Sequence, residues 1–396
     1  TAAALFVNYQ EMIIQKNTPI VNLAIIAAIA IFLSTYLWKK RHGVFIRTAI
    51  VEFYLDVKEY LATNLQYSQN MQERISKLQV TPLNKDDKPH TILLIIGESE
   101  SRDYMKAFNK EYKYNTTPWL DKMAQSKNFI LYAFSIYANT VIAVSNALTE
   151  TNQYNDKKFY ESCSVVDIAH AAGYKVHWYS NQGHLGCADT PVTLIANTAD
   201  VAKWTKQELN QVQYDESLLP YLDELNPEKN NFLIVHLKGN HFNFLNRFPE
   251  SFTKFGTPGK YDLEVNYADS IAYTDYILEQ IFNHAKDKLN LQAMVYFSDH
   301  ATVPDKRRSP NFEGLASVRI PFFTYFADEY IAQHKEVYDT LKMHENFYWT
   351  NDLAYELLCS ILDVKSNRFD EANSLASEKF KYKREDLRTN CGQTRI

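Results

Sequence analysis

Residues 91–99 read TILLIIGES. The first six are a short, continuous apolar run of the kind that a buried parallel strand shows. Gly97, Glu98 and Ser99 follow at once, so a carboxylate lies directly beyond the carboxyl end of this strand. In open sheets of parallel strands, binding and catalytic groups collect at this edge. The stretch therefore predicts an α/β fold with Glu98 at the edge of the sheet where chemistry takes place.

Strand and helix patterns alternate through the rest of the chain. Further strands are predicted at residues 129–136, 174–179, 232–237, 293–297 and 320–326. Helices are predicted at residues 118–125, 140–148, 164–172, 263–285 and 351–362. Alternation over about 300 residues indicates that helices cover both faces of one sheet. We therefore expect an α/β/α sandwich with a mostly parallel central sheet.

The composition is that of a globular protein and excludes several other classes. Of 396 residues, 46% are hydrophobic and 22% are charged, which excludes disordered and fibrous chains. The 42 basic and 47 acidic residues give a net charge of -5, without the basic excess that nucleic-acid binding requires. Four cysteines without a CxxC pair argue against a disulfide scaffold or a zinc ribbon. In an oxidising compartment, the pair best suited to a disulfide is Cys163 and Cys187.

The N-terminal part carries a strongly apolar segment. Residues 20–38, IVNLAIIAAIAIFLSTYLW, contain no charge over nineteen positions. As a helix, this segment would span about 28 Å, close to the hydrocarbon thickness of a bilayer. Tyr36 and Trp38 fit an interfacial aromatic belt, and the basic residues 39–41 follow. We therefore expect a transmembrane helix and not a buried core helix, which would be shorter and amphipathic.

Three regions follow from these patterns. Residues 1–43 are expected to be a membrane segment that ends an N-terminal transmembrane domain, since the chain starts without a methionine. Residues 44–89 are expected to form connecting or interfacial helices up to residue 80, then a polar, proline-bounded linker. An ordinary amphipathic surface helix would give the same pattern before the linker. Residues 90–396 are expected to form the α/β domain.

Three strand ends carry side chains that suit a metal ion. Glu98 follows the first predicted strand, and Asp299 and His300 follow the fifth. Thr140 stands after the second, at the start of a helix, where backbone N–H groups favour an anion. Each feature alone fits an ordinary cap or loop residue, but together they suit a divalent zinc or manganese ion. A metal bound to the hydroxyl would lower its pKa and make Thr140 a nucleophile for phosphorus.

Four motifs, in this order, resemble the phosphoethanolamine transferases. They are GESESRDYMKAFNKEYKYNTTPWL at 97–120, NT at 139–140, HLKGNH at 236–241 and YFSDH at 296–300. These transferases are membrane enzymes of the alkaline phosphatase and sulfatase superfamily that decorate lipid A, core sugars or other envelope glycans. The resemblance covers residues 90–365. It implies an alkaline phosphatase-like fold, preceded by a transmembrane helix, with a catalytic, sulfatase-like domain at 90–396.

The resemblance also implies roles for individual residues. The four zinc ligands that it implies are Glu98, Thr140, Asp299 and His300. Thr140 would also be the catalytic nucleophile that becomes phosphorylated. Asn139 and His241 would contact the substrate, with His241 close to the transferred phosphoryl group. His236 lies on a predicted strand and is expected to be a structural neighbour.

The match departs from the family pattern after His300. The family often has a glycine next, and a later histidine that helps to bind phosphate or a second metal. Here Ala301 takes the place of the glycine, and residues 302–321 contain no histidine. Arg307 or Arg308 could supply the positive charge as a phosphate clamp, and a solvated basic loop fits them equally well. One Zn²⁺ site is therefore expected, and the presence of a second metal stays open.

The function that the resemblance implies is transfer of phosphoethanolamine from phosphatidylethanolamine to an envelope acceptor. The acceptor would be lipid A, a lipopolysaccharide core or another glycan, and the route would be a phospho-threonine-type covalent intermediate. Two alternatives stay open: a phosphoglycerol transferase of the lipoteichoic-acid-synthase type, and a catalytically inactive envelope-binding homologue. A sulfatase reaction is rejected, because residues 139–143 lack the C/S-x-P-x-R setting of its nucleophile.

The charge pattern and the resemblance disagree about orientation. By charge alone, the basic residues 39–41 would face the cytoplasm. The catalytic domain of the family lies on the periplasmic side of the cytoplasmic membrane. Earlier membrane helices can dominate the charge rule, so we follow the resemblance. We expect an inner-membrane protein whose catalytic domain is extracytoplasmic, and no nucleic-acid partner.

Overall fold

The computed structural model describes residues 27–33, 35–36, 58, 65–67, 69–83, 88–124, 128–183, 190–205, 212–306 and 314–396. The chain divides into two compact units, Thr1–Leu61 and Ala62–Ile396. All the strands and site residues that follow belong to the second unit.

The predicted membrane helix falls only partly on described residues. Residues 27–33 and 35–36 are helical, and their large apolar side chains are exposed. Within the described residues, no helix is both long enough and apolar enough to cross a bilayer. The other positions of the segment 20–38, and the basic residues after it, lie outside the described part of the chain.

The helix predicted up to residue 80 ends earlier in the structure. Residues 69–77 are helical, but Val80–Pro82 form a strand that pairs antiparallel with Val364–Ser366. The expectation of a linker that starts at residue 81 was therefore wrong at its first positions. Pro82 is tolerated because it ends a short strand with a single partner, where the missing N–H is least costly.

Seven strands of the described chain form the central sheet. In chain order they are β1 Thr91–Gly97, β2 Asn128–Phe129, β3 Lys175–Ser180, β4 Val201–Trp204, β5 Asn231–His236, β6 Leu291–Ser298 and β7 Phe322–Phe326. Their order across the sheet is β2-β7-β6-β1-β5-β3-β4. The five strands from β6 to β4 are parallel, and β7 runs antiparallel to both β6 and β2. The prediction of a mostly parallel sheet is confirmed.

The central strand β1 packs against two different cores. All seven of its residues are buried. Ile92, Leu94 and Ile96 belong to one apolar cluster, and Leu93 and Ile95 belong to another. Since successive side chains of a strand point to opposite faces, both faces of the sheet are covered. This arrangement confirms the α/β/α sandwich.

Helices cover both faces of the sheet. They are α1 Pro118–Met123, α2 Thr140–Ala147, α3 Val165–Ala171, α4 Thr190–Ala196, α5 Leu219–Leu222, α6 Leu263–Lys288, α7 Asp328–Gln333, α8 Lys335–Met343 and α9 Ala354–Ile361. The long α6 packs on the cluster that contains Leu93, whereas α2, α3 and α9 pack on the cluster that contains Ile92. Asp262 precedes α6, and its side chain caps the helix by accepting from Val265 N.

The second predicted strand is divided between two sheets. Only β2 joins the central sheet, and Tyr132–Phe134 pairs in parallel with Tyr348–Thr350 outside it. The chain changes its partner at Leu131, whose N–H donates to Glu345 O and no longer to β7. The prediction of one continuous strand was therefore wrong, because an edge strand can leave its sheet without losing backbone hydrogen bonds.

Cys163 is a buried free thiol in the described structure. Burial raises its pKa to about 12, and the nearby carboxylates of Asp167 and Glu150 act in the same direction. The pairing suggested for Cys163 and Cys187 involves a residue that the structure does not describe, so it stays a prediction. Cys187 lies outside the described residues.

Candidate metal centre and active site

The site lies at the carboxyl ends of β1 and β6. These strands are parallel neighbours, and Gly97 at the end of one pairs with Ser298 at the end of the other. Glu98 and Asp299 follow directly, and Asp299 N donates to Gly97 O at 3.0 Å. The topology of the sheet therefore brings together two carboxylates that are far apart in the sequence.

Glu98, Asp299 and His300 form one buried cluster. A potential ligand atom of each lies within 4.8 Å of the other two, and the residues are 1%, 0% and 0% exposed. His300 Nε2 lies 3.4 Å from Glu98 Oε1 and 3.4 Å from Asp299 Oδ2. The other ring nitrogen, Nδ1, lies 3.0 Å from Ala301 O, which fixes the orientation of the ring. His300 therefore presents Nε2 to the carboxylates.

Thr140 brings a hydroxyl to the same cluster. Its Oγ1 donates to Glu98 Oε2 at 2.8 Å. Thr140 is the first residue of α2, and the N-cap Asn139 accepts from Val141 N at 3.1 Å and from Ile142 N at 3.3 Å. An asparagine at the cap explains why the helix starts at this point. The structure thus brings together all four residues expected as ligands, while the substrate contact of Asn139 stays a prediction.

The donor set of the cluster suits a divalent metal ion. Asp299 Oδ2 is buried and has no hydrogen-bond partner among the described residues, a costly state that a cation would relieve. The other oxygen, Oδ1, accepts from Ser99 N at 2.9 Å and from His300 N at 2.6 Å, so the carboxylate is held in place. Carboxylate oxygens with an imidazole nitrogen are ligands that zinc takes in catalytic sites. The residues present therefore fit a metal ion.

The pKa values of the two carboxylates shift in opposite directions. Burial alone would raise the pKa of Glu98, but the hydrogen bond and charge of His300 hold it well below its ordinary value. The charge of His241, and the Ser99 hydroxyl that donates to Glu98 Oε1 at 2.5 Å, act in the same direction. Burial and the Glu98 charge raise the pKa of Asp299 to about 7. Without a metal, the cluster therefore holds a proton near neutral pH.

The two histidines of the HLKGNH motif have different surroundings. His241 is partly exposed, its Nδ1 lies 3.3 Å from Phe242 O, and its charge acts on Glu98, so it lies near the cluster. His236 ends β5 inside the protein, where burial lowers its pKa to about 4. Its ring meets Trp178 edge to face. His236 is thus neutral and buried, as a structural neighbour would be, and the substrate role of His241 stays a prediction.

Two further residues at this edge of the sheet were not predicted from the sequence. Gln182 Nε2 donates to Glu98 Oε2 at 3.3 Å and to Leu237 O at 2.7 Å. Lys238 Nζ donates to Gln182 Oε1 at 3.3 Å. Both residues stand just after the ends of parallel strands, β3 and β5. The position rule that singled out Glu98 could therefore have singled them out as well.

Asn351 joins the loop of Asp299 to the loop that leads to Thr140. Its Nδ2 donates to Asp299 O at 2.8 Å, and its Oδ1 accepts from Ile136 N at 2.9 Å. These two partners are backbone groups, and Nδ2 also donates to the Ser135 side chain, at Oγ, at 3.3 Å. The side chain of Asn351 therefore ties the loop of Asp299 to the loop before Thr140.

The NTTP part of the first motif supports the site from outside the cluster. Thr117 Oγ1 accepts from Ala107 N at 2.8 Å, which ties the loop after β1 to the start of α1. Asp275 of α6 accepts from Trp119 N at 2.8 Å and from Leu120 N at 3.0 Å. These contacts close the first turn of α1, whose N–H groups would otherwise be unsatisfied. The motif therefore holds the loop after Glu98 against the protein.

The departure from the family pattern after His300 is accommodated by the core. Ala301 is buried, and its N–H donates to Ser317 O at 2.9 Å. Arg307 and Arg308 lie outside the described residues. The phosphate clamp expected from them therefore stays a prediction.

Gly239 allows the HLKGNH loop to lie directly on Glu98. Its φ is +48°, and a Cβ atom at this position would meet Glu98 N and Glu98 O at 3.0 Å each. Asn240 N donates to Glu98 O at 2.9 Å, so the loop cannot move away without losing this bond. We expect Gly239→Ala to lower the free energy of unfolding by about 2–4 kcal/mol, measured by urea denaturation.

Gly173→Ala is the matched control for this prediction. Gly173 also has a positive φ, +91°, but no atom lies within 4 Å of a Cβ at this position. In this control only the backbone strain of a positive φ acts, so the free energy of unfolding is expected to fall by about 1 kcal/mol. Equal losses for the two variants would contradict the close approach of the loop to Glu98.

The sulfatase family model matches residues 90–359, which is well over half of the chain. The chain belongs to the sulfatase family. The sulfatase match begins one residue before β1 and includes the whole Glu98–Asp299–His300 cluster, so the site lies within the matched region.

One similar protein of known name is a transferase from Escherichia coli. The phosphoethanolamine transferase EptC of Escherichia coli (strain K12) is 26% identical over 324 residues, which are 74% of this chain and 54% of that protein. The chain therefore spans about half the length of this curated relative.

Solved structures of similar proteins show the same fold. The C-terminal periplasmic domain of EcEptC from Escherichia coli, in complex with Zn, matches with a TM-score of 0.70 and 22% identity over 80% of this chain and 94% of that one. The integral membrane protein lipooligosaccharide phosphoethanolamine transferase A (EptA) from Neisseria meningitidis matches with a TM-score of 0.64 and 16% identity, over 90% and 70%. These likenesses confirm the alkaline phosphatase-like fold of this sulfatase-family chain.

Proposed function

We propose that the chain is the catalytic part of a metal-dependent phosphoethanolamine transferase. It would move phosphoethanolamine from phosphatidylethanolamine to an envelope acceptor, which is lipid A, a lipopolysaccharide core or another glycan. The observation that carries this proposal is the hydrogen bond of 2.8 Å from Thr140 Oγ1 to Glu98 Oε2, inside a cluster of metal-ligand side chains. The similarity to an E. coli phosphoethanolamine transferase supports the phosphoethanolamine head group over phosphoglycerol.

One Zn²⁺ site is part of the proposal. The residues that would hold the ion are Glu98, Thr140, Asp299 and His300. When bound, a divalent metal lowers the pKa of a coordinated hydroxyl and offsets negative charge on a phosphoryl group. The zinc complex of the EcEptC domain supports this choice of metal.

The nucleophile is Thr140 Oγ1. In the first half-reaction this oxygen forms a bond to the donor phosphorus, and the bond from phosphorus to the diacylglycerol oxygen breaks. The hydroxyl proton already points at Glu98 Oε2, and it ends on the departing diacylglycerol. In the second half-reaction a hydroxyl oxygen of the acceptor attacks the same phosphorus, and the bond from phosphorus to Thr140 Oγ1 breaks. The proton of the acceptor hydroxyl ends on Thr140 Oγ1. Substrate contacts are proposed for Asn139, His241, Arg307 and Arg308.

The cytoplasmic membrane is the proposed location, with the catalytic domain on its periplasmic side. The apolar residues 20–38 would anchor the chain beside its lipid donor, because a donor embedded in the bilayer must be reached from the membrane surface. The similarity to a periplasmic domain of EcEptC supports this side of the membrane.

Intact-mass spectrometry tests the proposal directly. We expect the zinc-loaded chain to gain one phosphoethanolamine group after incubation with phosphatidylethanolamine, because the second half-reaction lacks an acceptor. Thr140→Ala is expected to gain nothing. Thr198→Ala, which removes a hydroxyl that donates to Ile195 O within its own turn, is expected to behave like wild type. An adduct that maps to another residue would overturn the proposal. An adduct formed from phosphatidylglycerol instead would favour the phosphoglycerol alternative.

A further inference from the structure

We infer that Lys238 contacts the non-bridging oxygens of the phosphoryl group carried by Thr140, and that Gln182 holds the Lys238 ammonium in place. This inference rests on the proposed function and names the cation at its site. A transferred phosphoryl group spreads negative charge over three oxygens, so a fixed cation beside it stabilises the transition state.

The backbone of Lys238 is fixed at the edge of the cluster. The buried carboxylate of Asp215 accepts from Lys238 N and from Gly239 N, both at 2.8 Å. The next residue, Asn240, donates its backbone N–H to Glu98 O at 2.9 Å and its Nδ2 to Ser270 Oγ at 2.8 Å. The Cα atom of Lys238 is therefore held in a defined position close to Glu98, a proposed metal ligand.

The side-chain amide of Gln182 can adopt only one orientation here. Leu237 O and the Glu98 carboxylate accept hydrogen bonds and cannot donate, so both require the NH2 group, which lies 2.7 Å and 3.3 Å from them. The amide oxygen is therefore left for a donor, and Lys238 Nζ lies 3.3 Å from it. Gln182 is 9% exposed, so water competes little for these bonds. The result is a bridge from a carboxylate to an ammonium group.

Thr140 and Gln182 donate to the same oxygen of Glu98. Glu98 Oε2 accepts from Thr140 Oγ1 at 2.8 Å and from Gln182 Nε2 at 3.3 Å. The ammonium of Lys238 is thus separated from the oxygen that touches the nucleophile by one amide group. Thr140 and Gln182 also line one pocket, so a phosphoryl group on Thr140 would lie beside Gln182. The flexible stem of a lysine can then bring its point charge onto the phosphoryl oxygens. Lys238 is then a catalytic residue, and Gln182 a positioning residue.

The rate of adduct formation on Thr140 tests the inference. We expect Lys238→Met to slow it by about 10–100-fold with unchanged zinc content, and Lys238→Arg to recover most of the rate because it restores a cation. Gln182→Leu alone is expected to lower the rate of adduct formation by about tenfold. Added to Lys238→Met, it is expected to lower the rate little further, because the two residues act as a unit. Lys203→Met is the control, since Lys203 is also partly exposed and pairs with a carboxylate, Glu224, away from the cluster.

Two results would overturn the inference. One is a wild-type rate in Lys238→Met while wild type itself forms the adduct. The other comes from a separate experiment, which is needed if wild type forms no adduct and the proposed function fails. In that experiment the zinc-loaded chain is titrated with inorganic phosphate by calorimetry. About tenfold weaker phosphate binding by Lys238→Met supports the inference, and equal binding overturns it.

Discussion

Glu98→Gln is expected to weaken zinc binding by about 100-fold or more and to slow transfer by about 1,000-fold or more. The substitution keeps the size of the side chain but removes its negative charge. In wild type, Glu98 Oε1 lies 3.4 Å from His300 Nε2, and Glu98 Oε2 accepts from Thr140 Oγ1 at 2.8 Å. An amide in this position has a single acceptor oxygen, whereas the carboxylate of Glu98 uses both. Competition with a zinc chelator measures the affinity, and adduct formation measures the rate.

Glu356→Gln is the control for the loss of a buried carboxylate. Glu356 is 3% exposed and accepts from Asp370 N at 3.0 Å, and burial raises its pKa to about 8. It is not part of the metal cluster, so zinc affinity and rate are expected to stay at wild-type values. If Glu98→Gln retained zinc as well as Glu356→Gln does, the metal centre proposed here would be wrong.

Asp299→Asn is expected to have two opposite effects. Zinc affinity is expected to fall by about 100-fold or more, because a charged ligand becomes neutral. The metal-free chain is expected to become more stable at pH 8 by about 1–3 kcal/mol. The reason is that Asp299 Oδ2 is buried, has no hydrogen-bond partner in the part of the chain that the structure describes, and lies beside Glu98. The oxygen that accepts from Ser99 N and His300 N is retained in asparagine.

The pH dependence of the metal-free chain checks the same substitution. The pKa of Asp299 is raised from 3.8 to about 7 in the folded chain, so the folded state binds this proton more tightly than the unfolded state. Stability is therefore expected to fall as the pH rises from about 4 to about 7, and this slope is expected to be shallower in Asp299→Asn. Urea denaturation at pH 5 and pH 8, with a chelator present, measures both chains. A variant that is less stable than wild type at pH 8 would contradict the account of the cluster.

The parts of the fold that follow from burial were predictable from the sequence. β1 and β6 are continuous apolar runs because both of their faces are covered, and α6 shows a long stretch without proline or glycine. β4, Val201–Trp204, was missed because it is a short, half-buried edge strand whose Lys203 pairs with Glu224. Its pattern has no apolar run to detect.

The candidate site divides in a similar way. The strand-end rule and the family resemblance named Glu98, Thr140, Asp299 and His300, and the structure brings these side chains together. The contacts of Gln182 were not predicted, because they depend on the order of β1, β5 and β3 across the sheet. Sequence spacing alone does not give that order.

The link through Asn351 has a consequence for how acceptor preference can diverge. Because Asn351 binds Asp299 O and Ile136 N, its side chain ties the loop of Asp299 and the loop before Thr140 into one frame. Surface loops around this frame can change in length and sequence without altering the distance between Asp299 and Thr140. For the proposed transferase, we expect new acceptors to be acquired by exchange of these outer loops alone, while the side chains of the chemical step keep their positions.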